Sequence, residues 1–196
     1  MTEIWIATSN KNKVREFKAM FHDVNITVKS LLDLENPIPD IPETGTTFEE
    51  NAFCKADFLS QMINKPVLAD DSGLEIIGLD HFPGVNTRRW AHPITDNKII
   101  NDLLIEKCKL LEHRDAQAVC VLCYIDPIKK ITMSFRGVTT GVITTETVGE
   151  NAFGYDTIFL LPELNRTYAE LTLMEKNKYS HRAKAFHAFK KWWLGE

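Results

Sequence analysis

Long apolar runs are missing from this chain. Nowhere do about 18 consecutive apolar residues occur, the least a bilayer-crossing helix needs, and Met1 to Ala7 has no basic segment ahead of an apolar one. These absences predict a cytoplasmic protein with no membrane partner. A basic excess is missing too. The net charge of -4, from 23 Lys+Arg against 27 Asp+Glu, argues against a nucleic-acid partner, because such proteins carry surplus cations to displace counterions from the phosphate backbone. Cysteine is scarce: Cys54, Cys108, Cys120 and Cys123 stand among apolar neighbours, which predicts reduced, buried thiols. Cys120 and Cys123 do not suit zinc, since residues three apart on a strand face opposite ways and no second pair stands at zinc spacing. The glycine pattern of a Walker loop, a Gly-x-Ser-x-Gly elbow and a His-Glu-x-x-His pair are all lacking.

The composition that remains, 44% hydrophobic and 26% charged in 196 residues, is that of one folded domain spanning residues 1–196, with room for two lobes. Ile4 to Ala7 reads as a buried strand, followed by Val14, Phe17, Met20 and Phe21 at helical spacing with Ser9 or Asn10 as N-cap. Pro37, Pro39 and Pro42 predict a loop. Thr47 and Glu50 have capping-box spacing ahead of Phe48, Ala52, Ala56, Leu59 and Ile63 on one helical face. Pro66 to Ala69 and Leu74 to Leu79 read as a hairpin turning at Asp70-Asp71-Ser72-Gly73. Asn97 to Leu111 reads as a helix. Ala116 to Ile125, Ile131 to Val138 and Val142 to Thr145 read as a meander with a glycine turn, and Ile158 to Leu161 as a short strand. A loop and a last helix from Ser180 complete the reading.

Against this background three charged segments stand out: Ser9 to Lys13, Ala69 to Gly73 and Glu175 to Arg182. Lys11 and Lys13 fall where a strand gives way to a helix, and the amides and dipole of a helix start favour an anion such as phosphate; a solvated helix start is the competing reading. Two adjacent carboxylates, Asp70 and Asp71, would repel by about 4 kcal/mol at ~4 Å and an effective dielectric near 20, which a divalent cation offsets; a solvated turn whose side chains bond nearby amides competes with it. Glu43 offers a third carboxylate. Asn51 and Lys55, four apart on the face away from Ala52 and Ala56, point to a cleft or simply to water. His181 and Arg182 open the last helix, a costly place for cations unless a phosphate, a carbonyl or a partner carboxylate is near. Phe153, in Phe153-Gly154-Tyr155-Asp156, presents a flat ring on a turn, to stack on a base or to pack across the loop.

Taken in order, Ala7 to Lys13, Glu43-Thr44-Gly45 through Asn51-Ala52, Leu68 to Leu74, Pro83-Gly84-Val85, Phe153 to Asp156 and Glu175 to Arg182 resemble the family of inosine triphosphate pyrophosphatases. The resemblance implies an α/β fold, a long curved mixed β-sheet flanked by helices in two lobes around a central nucleotide cleft, and a homodimer. It implies hydrolysis of non-standard purine nucleoside triphosphates (ITP, dITP, XTP) by attack of water on the α-phosphate, with Mg2+ required. By matched position Thr8, Ser9, Asn10, Lys11, Asn12 and Lys13 hold the phosphates with help from Lys55, Ser72 belongs to the substrate-binding set, Glu43 and Asp71 bind the metal, and Asp71 accepts the proton. Phe153, Gly154, Tyr155, Asp156, Lys176, His181 and Arg182 grip the base and sugar, and a donor aimed at a 6-oxo group disfavours adenine. The chain departs from the pattern at Asn151-Ala152, at Thr157 and at Asn86 to Trp90. A nucleotide sensor without turnover and a general nucleotide phosphatase are the competing functions; the presence of Glu43, Asp71 and Lys13 speaks against the first.

Overall fold

The computed structural model describes residues 2–38, 41, 43–150 and 153–196; Pro39 and Pro42 of the expected loop, and the Asn151-Ala152 departure, lie outside the described residues. Five helices and eight strands are described: β1 Thr2–Ile6, α1 Lys11–Met20, β2 Ile26–Ser30, α2 Phe48–Ile63, β3 Val67–Ile76, β4 Phe82–Pro83, α3 Asn97–Lys107, β5 Asp115–Asp126, β6 Ile131–Ile143, β7 Phe159–Leu161, β8 Arg166–Thr167, α4 Leu173–Tyr179 and α5 His181–Leu194. The fold is a mixed α/β sheet with strand order β2-β1-β3-β5-β6-β7-β8, and β4 added to β3. β1 runs parallel to both β2 and β3, which matches its unbroken buried run of Ile4, Trp5 and Ile6. β7 pairs antiparallel with β6 and with β8.

The chain forms two compact units, one of Met1–Asp71, Cys120–Gly137 and Arg182–Glu196 and one of Ser72–Val119 and Val138–His181. In the first, Ile4, Ile6, Leu68, Leu122 and Tyr124 of the strands meet Phe17 of α1, Phe21 just after it, and Phe186 and Phe189 of α5. The Phe21 ring lies edge-on to Phe186 at 4.7 Å and to Phe189 at 5.9 Å, an arrangement that adds quadrupole attraction to apolar burial. In the second, Leu74, Ile76, Ala116, Ile143 and Phe159 pack with Leu104 of α3 and with Tyr168 and Leu171.

Both expected caps are present. Asn10 accepts from the amides of Asn12 and Lys13, and Thr47 and Glu50 form a reciprocal capping box. α2 stops at Asn64 in the left-handed conformation. Four expectations are corrected. The hairpin at Asp70 to Gly73 does not exist: β3 runs straight through these residues, because the Asp70 charge is neutralised within the structure and does not need a solvated turn. Ile131 to Ile143 is likewise one strand. Its Gly141 makes no turn; a Cβ there would stand 2.6 Å from the Leu160 carbonyl oxygen and 2.6 Å from the Phe159 ring, so glycine permits the close approach of β7. Cys54 is exposed, unlike Cys108, Cys120 and Cys123, since it lies off the buried face of α2. The stretch read as loop before Ser180 contains α4, capped by Thr172 and Glu175. Among the described residues no helix is long and apolar enough to cross a membrane.

Candidate active site

In the first unit β3 delivers two aspartates to two sets of partners. Successive strand residues face opposite ways, and Asp70 receives Lys13 Nζ at 2.9 Å and the Arg182 guanidinium at 3.0 Å (Nη2) and 3.3 Å (Nε). Arg182 also donates from Nη1 to Glu16 at 2.6 Å. α1 supplies Lys13 and Glu16 one turn apart, and α5 supplies Arg182 in its first turn. A cation there opposes the helix dipole; two carboxylates offset that cost. Burial disfavours the Asp70 charge, but Lys13, Arg182 and Lys55 outweigh it and hold the carboxyl well below the usual carboxylate range. Burial pulls the Lys13 pKa down, with Asp70 opposing.

Asp71 accepts from Lys55 Nζ at 2.8 Å and from Asn51 Nδ2 at 3.2 Å. The same Nζ donates to Glu43 Oε1 at 2.8 Å, so the two carboxylates converge on one cation position. Asn51 and Lys55 are neighbours along α2, both buried. Asn51 Oδ1 accepts from the Gly45 amide at 2.8 Å, a contact close enough that a Cβ on Gly45 would collide with it. This bond ties the segment carrying Glu43 to the helix. Burial raises the Asp71 pKa against the pull of Lys55, with Glu43 adding to the rise. Lys55 is disfavoured by burial, yet Asp71, Asp70 and Glu43 together raise its pKa and keep it cationic.

Thr8 to Lys13 wraps the start of α1. Thr8 Oγ1 accepts from the Asn10 amide at 3.2 Å, and Asn10 Oδ1 accepts from the Asn12 and Lys13 amides at 3.0 and 3.3 Å. Two of the amides expected to meet an anion are therefore engaged by the cap. Ser9 and Lys11 are exposed. The structure thus gathers Lys13, Glu43, Lys55, Asp71 and Arg182 into two sets of ion pairs, Lys13 and Arg182 on Asp70 and Lys55 between Asp71 and Glu43, carried by consecutive residues of β3. Among the described residues no group of three or more His, Cys, Asp and Glu is arranged for a metal.

The second unit holds the remaining candidates. Asp156 accepts from Lys176 Nζ at 2.6 Å, and that ammonium lies 5.5 Å from the Phe153 ring centre and 5.6 Å from Tyr168. His181 stacks on Tyr168 at 6.0 Å. Tyr155 Oη donates to the Thr87 carbonyl at 2.7 Å and accepts from Trp90 Nε1 at 2.8 Å, while burial pushes its pKa up to about 12. Ser72 follows Asp71 in β3, half-buried. Gly154 takes a positive φ of 60°.

Sequence reasoning passed over Glu16 and Asn101. Glu16 is a charge beside Phe17 on the apolar side of α1, one turn from Lys13, and that position was its signal. Asn101, buried in α3, had none.

These features define a mixed α/β protein with a buried carboxylate and lysine centre, and solved structures share its whole fold. A Ham1 protein of Staphylococcus aureus matches with TM-score 0.87 and 38% identity over 99% of both chains, and a HAM1 protein of Coxiella burnetii with TM-score 0.89 and 34% identity over 100% of both. The Ham1 family model covers residues 4–192, and the chain belongs to that family. Relatives include the dITP/XTP pyrophosphatase of Staphylococcus epidermidis, 44% identical over 100% of this chain and 98% of that protein. That of Listeria monocytogenes is 42% identical over 97% and 94%.

Proposed function

We propose that the Asp71 network is the phosphate end of a nucleoside-triphosphate diphosphatase that hydrolyses non-standard purine nucleoside triphosphates to the nucleoside monophosphate and pyrophosphate. Full-length relatives bearing the name dITP/XTP pyrophosphatase support the reaction class. The observation that carries the chemistry is the convergence of Glu43 and Asp71 on a single ammonium, each at 2.8 Å. Two carboxylates around a cation position are a hard oxygen donor set of the kind Mg2+ takes, since that ion is held by one or two carboxylates and otherwise keeps water and phosphate oxygens. When bound, the ion neutralises phosphate charge and acidifies water.

The chain's own residues do the rest. Lys13 and Lys55 offset the charge of the triphosphate, and Asp71 takes a proton from the attacking water. That water's oxygen bonds to the α-phosphorus, the bond from the α-phosphorus to the bridging oxygen breaks, and pyrophosphate leaves with the electron pair. Burial suits Asp71 to this task, since a carboxylate with a raised pKa is a stronger base than an exposed one. In the second unit Phe153 stacks on the base and Lys176, held by Asp156, contributes a donor toward the base and sugar end.

The test is incubation of ITP, dITP and XTP with the protein and MgCl2, in water enriched in heavy oxygen, followed by product identification. The reading expects monophosphate and pyrophosphate in equal amounts with the label in the monophosphate, and loss of turnover on chelation. Label in pyrophosphate would move the attack to the β-phosphorus; orthophosphate as first product would replace the reading with a general phosphatase.

A further inference from the structure

We infer that Asn101 of α3, which belongs to none of the charged or aromatic segments, is a positioning residue that fixes the turn presenting Phe153 to the substrate base. The inference rests on the reading of Phe153 as the stacking residue. Asn101 is 2% exposed. Its Nδ2 donates to the Gly154 carbonyl at 3.0 Å and to Thr157 Oγ1 at 2.9 Å, and its Oδ1 has no hydrogen-bond partner among the described residues. A buried amide that leaves its acceptor unsatisfied is a poor choice for stability, because the unmade bond costs more than an average bond returns. A leucine fills similar space without that penalty. What Asn101 does that leucine cannot is spend both donors on one turn.

That turn needs outside support. The Asp156 amide donates to the Phe153 carbonyl at 3.2 Å and closes the turn from within, but Gly154 has a φ of 60° and a Cβ there would meet nothing within 4 Å, so no side chain restrains its own carbonyl, and glycine passes readily to other conformations. The Asn101 bond to its carbonyl supplies the restraint. Tyr155 is held by Thr87 and Trp90, and Asp156 by Lys176. Gly154 and Thr157, either side of those two, are the residues Asn101 holds. Phe153 is the next residue outward from this anchored set, so the direction of its ring follows from the Gly154 peptide. Removing Asn101 frees that peptide at one end while leaving the phosphate-end residues of the first unit untouched.

The test uses Asn101→Leu in the full chain, with inosine monophosphate and pyrophosphate as competing inhibitors of ITP hydrolysis. The inhibition constant for the monophosphate is expected to rise about tenfold, the equivalent of one to two lost buried hydrogen bonds, while that for pyrophosphate stays within about twofold and kcat within about threefold. General destabilisation would move both constants or neither. Thr157→Val, which removes only the second acceptor, is the fallback if Asn101→Leu does not fold, with an expected rise of about threefold for the monophosphate alone. An unchanged monophosphate constant in either folded variant, or an equal rise of both constants, overturns the inference. Phe153→Ala separates the two readings: if it too leaves the monophosphate constant unchanged, the stacking reading falls and this inference with it. If Phe153→Ala raises that constant and Asn101→Leu does not, only the role of Asn101 falls.

Discussion

Asp70 and Asp71 are consecutive in one strand, yet Asp70 is bound by Lys13 and Arg182 and Asp71 by Lys55 and Asn51. The repulsion expected of two carboxylates sharing a turn is therefore relieved by strand alternation and separate cations, and the two residues serve different ends. Asp70, itself fully buried, anchors Lys13 and Arg182. Asp71 keeps a raised pKa, and its lysine also answers to Glu43. The corresponding asparagine variants should part company. Asp71→Asn is expected to fold with a stability change within about 1 kcal/mol, since it removes a charge that burial disfavours, and to lose turnover by about a hundredfold or more. Asp70→Asn leaves two buried cations underpaired and is expected to cost about 3–5 kcal/mol. Urea unfolding beside initial rates on ITP checks both, and an Asp71→Asn variant with near-normal turnover would transfer the proton-accepting role elsewhere.

The same pair gives stability two opposed dependences on pH. An aspartate in an unfolded chain titrates near ~3.9. The Asp70 carboxyl lies below that in the fold, so its contribution is present above the unfolded value and is lost as pH falls through the folded one. Asp71, raised in the fold, behaves oppositely: its contribution is full below the unfolded value and is lost as pH rises through the folded one. Asp70→Asn should thus flatten the acid side of a stability profile, and Asp71→Asn should remove the loss just above the ordinary carboxylate range. In the wild type kcat/KM should fall on the acid side, because Asp71 must be ionised to take a proton. Urea midpoints and kcat/KM across a pH series decide it; an acid limb that persists unchanged in the residual activity of Asp71→Asn would remove Asp71 as the base.

Local chemistry made α1 and α2 legible, because Asn10, Thr47 and Glu50 announce helix starts and Phe17 or Leu59 recur at helical spacing. β3 was misread because the partners that let Asp70 remain inside a strand are 57 and 112 residues away, at Lys13 and Arg182. Long-range neutralisation leaves no mark on the residues beside it. The lysines and carboxylates of the site were visible as types at element boundaries, and the choice between a phosphate guest and a partner carboxylate for Arg182 needed coordinates: Asp70 and Glu16 hold it. Gly141 shows the reverse failure, a glycine that looked like a turn and proved to make room for Leu160 and Phe159. Asn101 was invisible because its partners are a backbone carbonyl and a hydroxyl more than 50 residues on.

Thiol chemistry offers a test of packing that is independent of turnover. The chain has four free cysteines. Burial pushes the Cys120 and Cys123 thiols up to about 12 and raises Cys108 as well, whereas Cys54 is exposed on α2. The thiolate is the reactive form. Titration with an aromatic disulfide reagent at mildly alkaline pH should therefore modify Cys54 alone in the native protein and all four in denaturant. Fast native reaction at Cys120 would contradict its place beside Asp70 in the first core.

Phe153 is where base recognition should be separable from phosphate chemistry. Its half-buried ring sits on a turn, 5.5 Å from the Lys176 ammonium, and carries no titratable group. Base stacking on an aromatic side chain is worth about 1–3 kcal/mol by alanine substitution. Phe153→Ala should therefore raise the KM for ITP and the inhibition constant of inosine monophosphate about tenfold or more, while pyrophosphate inhibits as before. Phe153→Leu keeps most of the apolar bulk and loses the flat π face, so it should resemble alanine if stacking is the interaction, and wild type if the side chain only fills space. Steady-state kinetics of the three proteins with ITP and XTP distinguish these outcomes, and a leucine variant indistinguishable from wild type on both substrates would reduce Phe153 to a packing residue.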